Sequence, residues 1–314
     1  MEPIIAPVDK KLLQEELSEK LLLRLTNRQH NEIYVFDGNE CPNTMREVGR
    51  LREEAFRMGG GGSGKSCDID EYDLGPEAYK QLVVWSPEHK TIIGGYRFIN
   101  GSDVVNSSKG TDALATSHMF NYSEKFVKEI LPVTLELGRS FVSAGFQSTT
   151  LKTLSIYALD NLWDGLGALT VVHPDIKYFF GKVTMYSNYN RRCRNLILHF
   201  MEIYFNDTHE LVSPKCPLPI ELSEEDRSLF SGTNLTADYQ LLKKEVRKMG
   251  INIPPLFNAY ISLSPDLIKL GTAINEEFGD VEETGILINI DQILEEKKHR
   301  HISTFKPHNH GKDL

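Results

Sequence analysis

Apolar residues change their spacing several times along this chain, and each change predicts a change of element. In residues 42–58, PNTMREVGRLREEAFRM, the residues Met45, Val48, Leu51, Ala55 and Phe56 recur at helical spacing with charged residues between them, which predicts an amphipathic helix. Residues 10–25 predict another. NEIYVFD (31–37) predicts a short strand, and QLVVWSPEHKTIIGGYRFI (81–99) a hairpin with SPEHK as its turn. FNYSEKFVKEIL (120–131) has the polarity of a helix. VTLELGRSFVS (133–143) alternates as a strand does, with Val133, Leu135 and Leu137 on one side and Thr134 and Glu136 on the other.

Beyond it, residues 149–169 predict a strong helix, KYFFGKVTMYS (177–187) a strand and RRCRNLILHFMEIYF (191–205) a further helix. Residues 206–226 are rich in Pro and acidic residues and connect rather than pack. The last third adds a helix ending at Gly250, two strands at PLFNAYISL (255–263) and TGILINI (284–290), and a short helix at 291–301. Two strands are too few for a sheet of their own, so residues 206–314 are expected to complete the sheet begun by residues 1–205, in one structural domain. The sum is a mixed α/β sheet flanked by helices.

Composition narrows the function classes more than the fold. The chain has 314 residues, 40% hydrophobic and 25% charged, which is enough for a sizeable core. A formal net charge of -9 argues against nucleic acid as a partner, because a phosphate-tracking surface needs Lys and Arg in excess. Cys41, Cys67, Cys193 and Cys216 are scattered without the spacing of a zinc site or a disulfide framework, so no metal is expected and reduced thiols in a cytoplasm fit. No basic-then-apolar leader opens the sequence, and no run of about 18 apolar residues occurs. The expectation is a cytoplasmic protein, compatible with peripheral contact at an inner membrane.

GGGGSGKS (59–66) satisfies the phosphate-loop pattern G-x-x-x-x-G-K-[ST] at Gly59, Gly64, Lys65 and Ser66. That pattern works mechanically only when a strand enters the loop and a helix leaves it. Here a helix enters, and CDIDEYDLGP follows with four acidic residues, so the glycines read as a flexible loop. The acidic stretch is the feature to explain.

Three small patterns line up with it: Arg52-x-x-x-Phe56 before the loop, Asp70-Glu71-Tyr72-Asp73 after it, and Glu136-Leu137-Gly138-Arg139 on the later strand, joined by Arg97 in GGYRF. In this order they resemble the acyl-homoserine-lactone synthases of the GNAT acyltransferase superfamily. Through LELGRSFV, LWDGLGAL, HPDIKYFFGKVTMYSNY and IPPLFNAYISL the chain is more similar to the hemolysin-like N-acyltransferases that begin bacterial ornithine-lipid and glycine-lipid synthesis. The likeness covers residues 52–190 well and 254–291 loosely. The name "hemolysin" implies pore formation, which a chain without a membrane-length segment does not support.

The resemblance implies a GNAT-like, mainly antiparallel sheet with a C-terminal extension. It also implies transfer of a long, 3-hydroxylated acyl group from acyl carrier protein to the amine of glycine or ornithine. No permanently bound cofactor is implied; the donor is the acyl-phosphopantetheine of the carrier, or acyl-coenzyme A.

An ammonium must lose a proton before it attacks a thioester, and Glu136 is the candidate base, with an ion pair to Arg139 or Arg97 as the alternative. Asp70, Asp73 and Arg97 would form an electrostatic cluster under the loop that orients the acceptor amine or pins the loop, and Arg139 joins the candidate catalytic residues. By resemblance the oxyanion donor lies on the backbone near Phe141, Val142 and Ser143. SAGFQSTTLK (143–152) departs from the usual pyrophosphate loop. This favours a single phosphate held by Ser148, Thr149 and Thr150, for which helix capping is the alternative. An acidic carrier protein needs a basic dock; Arg191, Arg192 and Arg194, with Lys177 and Lys182, are the candidates, and a solvated helix face is the alternative. A coenzyme-A-dependent acetyltransferase and a non-catalytic acyl-carrier-binding or membrane-surface protein are the competing functions.

Overall fold

The computed structural model describes residues 1–147 and 152–306. In chain order its strands are β1 (Leu22–Leu25), β2 (Glu32–Asp37), β3 (Lys80–Ser86), β4 (Thr91–Asn100), β5 (Phe120–Tyr122), β6 (Thr134–Val142), β7 (Tyr178–Met185), β8 (Val212–Pro214), β9 (Ile268–Asn275) and β10 (Val281–Asn289). The helices are α1 (Lys10–Glu16), α2 (Pro42–Gly59), α3 (Gly101–Asn106), α4 (Lys152–Val172), α5 (Arg191–Phe205), α6 (Glu224–Arg227), α7 (Leu235–Lys248), α8 (Pro255–Ile261) and α9 (Glu295–His301).

The main sheet is 8-stranded, in the order β1-β2-β3-β4-β6-β7-β10-β9, and β5 pairs with β8 at its side. Every pair in the main sheet is antiparallel except β6 with β7. This is the mixed, mainly antiparallel GNAT-like sheet flanked by helices that the sequence implied.

Both faces of the sheet are covered, which is why its central strands read as nearly continuous apolar runs. Ile33, Val35, Leu82 and Val84 point into a core shared with α4, α5, α7 and α8. Their neighbours Tyr34, Phe36, Val83 and Trp85 point the other way, into a core with α1 and α2. Each such side chain contributes roughly 1.5–3 kcal/mol by leaving water, so a one-residue slip of any central strand would exchange the two cores at great cost.

The structure differs from the sequence expectation at several elements, among them the segment 206–226, which carries β8 and the start of α6 and buries Leu211 and Val212. The helix expected over residues 10–25 stops at Glu16, and the apolar run after it becomes edge strand β1. In residues 120–131, FNY is a strand, and the helical part is one π turn, Phe126–Ile130, before Pro132. PLFNAYI is helix α8, with Pro255 in its first turn and Phe257, Tyr260 and Ile261 buried at helical spacing. The strand beside β10 is instead IKLGTAIN, β9, an edge strand interrupted by Lys269 and Gly271.

Candidate active site

Strands β6 and β7 pair in parallel only from Thr134 opposite Tyr178 to Leu137 opposite Gly181. Past that point the cleft between them is bordered by Gly138, Arg139 and Ser140 on β6 and by Lys182 and Thr184 on β7. On the other side of β6, Gly95 stands opposite Phe141 and Arg97 opposite Gly138, so Arg139 and Ser140 together oppose Tyr96 in a bulge. Arg139 adopts φ +49°, a left-handed conformation that costs a non-glycine residue about 1 kcal/mol or more and persists only where the surroundings impose it.

Two clefts meet at this bulge. One is apolar, about 650 Å³ including its open mouth, and walled by Tyr96, Leu137, Phe179, Leu256, Tyr260 and Ile288. The other is polar, about 880 Å³ including solvent at its mouth, with Asp68, Asp70, Arg97, His118 and Asn275 in its walls. Arg139, Lys182 and Phe278 belong to both and form the partition.

The acidic stretch after the glycine loop makes one side of the polar cleft. Asp73, fully buried, lies 2.9 Å from Arg52 and 3.2 Å from Arg97, and accepts from Gln81. Asp70 bridges Arg97 at 2.6 Å and Arg139 at 3.2 Å. Arg139 Nε comes within 2.9 Å of Asp68 Oδ2, a close charge contact without hydrogen-bond alignment, and its guanidinium stacks 4.4 Å from the Phe278 ring centroid. Burial alone would raise the Asp73 carboxyl, but Arg52 and Arg97 outweigh it and hold the group well below the carboxylate range. The structure therefore brings Asp70, Asp73, Arg97 and Arg139 together, and adds Arg52 and Asp68.

The glycine loop cradles a carboxylate rather than a phosphate. Glu53 of α2 accepts hydrogen bonds from the amides of Ser63 and Gly64 and from Arg57, while Gly60 caps α2 in the left-handed conformation.

Glu136 is placed differently from both expectations. It is fully buried, lines neither cleft and pairs with neither Arg139 nor Arg97. Its oxygens accept hydrogen bonds from the Tyr79 hydroxyl and, at 2.6 Å, from Thr116. Burial raises its pKa in spite of these two donors.

The bulge does not fall at the expected oxyanion donors. The bulge lies at Arg139–Ser140, ahead of Phe141, Val142 and Ser143. Phe141 and Val142 are in register with Gly95 and Gly94, and the Ser143 amide already donates to the Ile93 carbonyl. Ser148, Thr149 and Thr150 lie outside the described residues.

In the basic run at the start of α5, Arg191 and Arg192 are exposed and Arg194 is buried, and all three have acidic partners. Arg194 is buried and bonded to Glu282, Asn195 and the Pro219 carbonyl. Arg192 is clamped on Asp226, and Arg191 pairs with Glu282 at 2.6 Å. Lys182 is buried against Glu283 inside the partition.

The facing side of the polar cleft was not anticipated from the sequence. Glu283 of β10 pairs with Lys182 and accepts from Thr184 and Asn275, and Asn275 in turn meets His118. Burial lowers the Lys182 pKa against the pull of Glu283, while Lys182 keeps Glu283 ionised although burial opposes it.

Among known proteins, the acetyltransferase (GNAT) domain family matches residues 51–156. The glycine N(alpha)-acyltransferase of Bacteroides thetaiotaomicron is 58% identical over 306 residues, which is 97% of this chain and 91% of the relative. That of Phocaeicola vulgatus is 56% identical over 306 residues, covering 97% of this chain and 94% of the relative. The structure of the AHL synthase LasI aligns over 49% of this chain and 73% of its own at 15% identity and a TM-score of 0.30, too slight a likeness to build on.

Proposed function

This chain belongs to the family of these glycine Nα-acyltransferases and is an N-acyltransferase, and from that premise we propose that it transfers a long, 3-hydroxylated acyl group from a carrier-protein thioester to the amine of glycine, opening an aminolipid synthesis. The observation that carries this reading is the meeting of an apolar and a polar cleft at the β6 bulge. A fatty acyl chain loses water on entering the apolar cleft, at roughly 0.8 kcal/mol for each buried methylene. A zwitterionic amino acid suits the polar one, where carboxylates and guanidinium groups alternate. The thioester carbonyl then lies at the partition, where Arg139 and Lys182 offer positive charge to the oxyanion of the tetrahedral intermediate.

Two features support the finer points. Tyr96 Oη is buried in the apolar wall with no aligned hydrogen-bond partner among the described residues, its polar neighbours being Ser140 and Tyr260. It suits the hydroxyl of a 3-hydroxyacyl chain. On α7, Lys243 and Arg247 border a shallow groove with Pro255 and Asn258 of α8, whose Leu256 and Tyr260 wall the apolar cleft, and Lys244 and Lys248 are exposed beside them. This surface, not the α5 run, suits an acidic carrier protein.

The test is incubation of the purified protein with 3-hydroxyacyl carrier protein and a panel of amino acids, with products identified by mass spectrometry. N-acylglycine formed in preference to other products supports the proposal, and no product with any acceptor removes it. Equal rates with acyl-coenzyme A would remove the carrier-protein part alone.

A further inference from the structure

The side of the polar cleft away from the arginine–aspartate cluster is lined by His118 before β5, Lys182 on β7 and Asn275 at the end of β9, while Glu283 of β10, which borders the apolar cleft, holds Lys182 and Asn275 from behind. Its hydrogen bonds fix the tautomer of His118. Glu283, ion-paired with Lys182, has only acceptors to offer. Asn275 must therefore turn Nδ2 toward it, and does so at 3.0 Å. That orientation leaves Asn275 Oδ1 facing His118 Nε2, 3.4 Å away. An amide oxygen can only accept, so the imidazole proton belongs on Nε2 and the lone pair on Nδ1.

We propose that His118 Nδ1 is the general base that deprotonates the acceptor ammonium, and that Asn275, held by Glu283, is the positioning residue that sets its tautomer. The proposal rests on the reading of the polar cleft as the acceptor site. His118 lines that cleft and is exposed to it. Partial burial of the ring on its Asn275 side and the charge of Lys182 hold its pKa below the ordinary imidazole value, against Asn275, Glu277 and Glu283, which pull the other way. The ring is thus neutral and able to accept at neutral pH. Across the cleft Asp68, Asp70, Arg97 and Arg139 pair with one another, and Lys65 and Glu71 complete the charged lining.

In the step, the glycine ammonium passes one proton to Nδ1 and the freed lone pair attacks the thioester carbonyl carbon. The C–N bond forms while the carbonyl π pair moves to oxygen. On collapse the C–S bond breaks, and sulfur leaves with its electron pair, taking the second amine proton to become a thiol. His118 then releases its proton to solvent, so each turnover yields one amide, one thiol and one proton.

The experiment measures kcat at saturating glycine against pH, which reports groups in the bound complex rather than the ionisation of free glycine. The wild type should lose rate on acidification through a pKa below the ordinary imidazole value of about 6.5. His118→Ala should lower kcat by about 10²- to 10⁴-fold, abolish the acidic limb and regain part of its rate when imidazole is added, at an unchanged Tm. Asn275→Ala should lower kcat by about tenfold with KM for glycine near the wild-type value, a loss smaller than that of the base it positions. If the wild type makes N-acylglycine and folded His118→Ala keeps both its turnover and its acidic limb, the proposal is wrong. If the wild type acylates no amino acid, the reading of the acceptor site fails first and this assignment fails with it.

Discussion

The two sides of the polar cleft are both charged, yet they are built on opposite plans. On the loop side Asp68, Asp70 and Asp73 face Arg52, Arg97 and Arg139, and contacts link them all. On the strand side one ion pair, Lys182 with Glu283, is followed by an amide and then an imidazole. A network in which each charge is answered resists any change of protonation, because removing one proton or one charge leaves a partner buried and unpaired. One that ends in a neutral imidazole open to the cleft can take up a proton and release it. The first plan suits a scaffold that holds Arg139 in its left-handed conformation; the second suits acid–base chemistry.

The largest effect that would test this division is on stability. Asp73→Asn should cost about 3–5 kcal/mol, the usual penalty for removing one partner of a buried pair, read from denaturant unfolding. Because the folded-state pKa of Asp73 is depressed, its contribution is present above the unfolded value and is lost as pH falls through the folded one. The wild type should therefore lose its advantage over Asp73→Asn on acidification. A variant that stays fully stable while losing turnover would reverse the roles of the two sides.

Next in size is the apolar cleft. Leu256→Trp fills it from α8 and should lower kcat/KM for long acyl donors by about 10- to 100-fold while sparing short ones, since overpacking penalises only chains that must share the space. Paired Lys244→Glu and Arg247→Glu should raise KM for the carrier-protein donor about tenfold, equivalent to roughly 1.4 kcal/mol, and leave acyl-coenzyme A unaffected. A loss with both donors would place α7 in the fold rather than in docking.

The smallest effect belongs to Glu136. Its raised pKa means that its contribution to stability is present below the unfolded carboxyl value and is lost as pH rises through the folded one. Glu136→Gln should match the wild type at low pH and be more stable by about 1 kcal/mol at neutral pH, the scale of one net hydrogen bond, which thermal unfolding against pH would show.

The loop side of the cleft was legible because its parts carry local signals. A helical period delivers Arg52, the β3–β4 hairpin delivers Arg97, and an alternating strand delivers Arg139 to within a short span of an acidic run. The strand side carries none. Asn275 ends an edge strand whose pattern is interrupted by Lys269 and Gly271, His118 lies in a polar turn, and only the tertiary fold brings them to Glu283.

Glu136 shows the limit of alternation. The period-two pattern places it on the face opposite Leu135 and Leu137, but the groups that seal it, Tyr79 and Thr116, come from distant segments. The ion pairs of the α5 arginines are hidden from the sequence for the same reason: their acidic partners Asp226 and Glu282 follow 34 and 88 residues after Arg192 and Arg194. PLFNAYISL reads as a strand from its apolar content, but Pro255 sits in the first turn of α8.

What separates the two sides most directly is the pH profile of kcat at saturating glycine, measured side by side for the wild type, Glu136→Gln and His118→Ala. The acidic limb should persist in Glu136→Gln and vanish in His118→Ala. A limb lost in Glu136→Gln and kept in His118→Ala would return the base to the buried carboxylate and contradict the division of labour across the cleft.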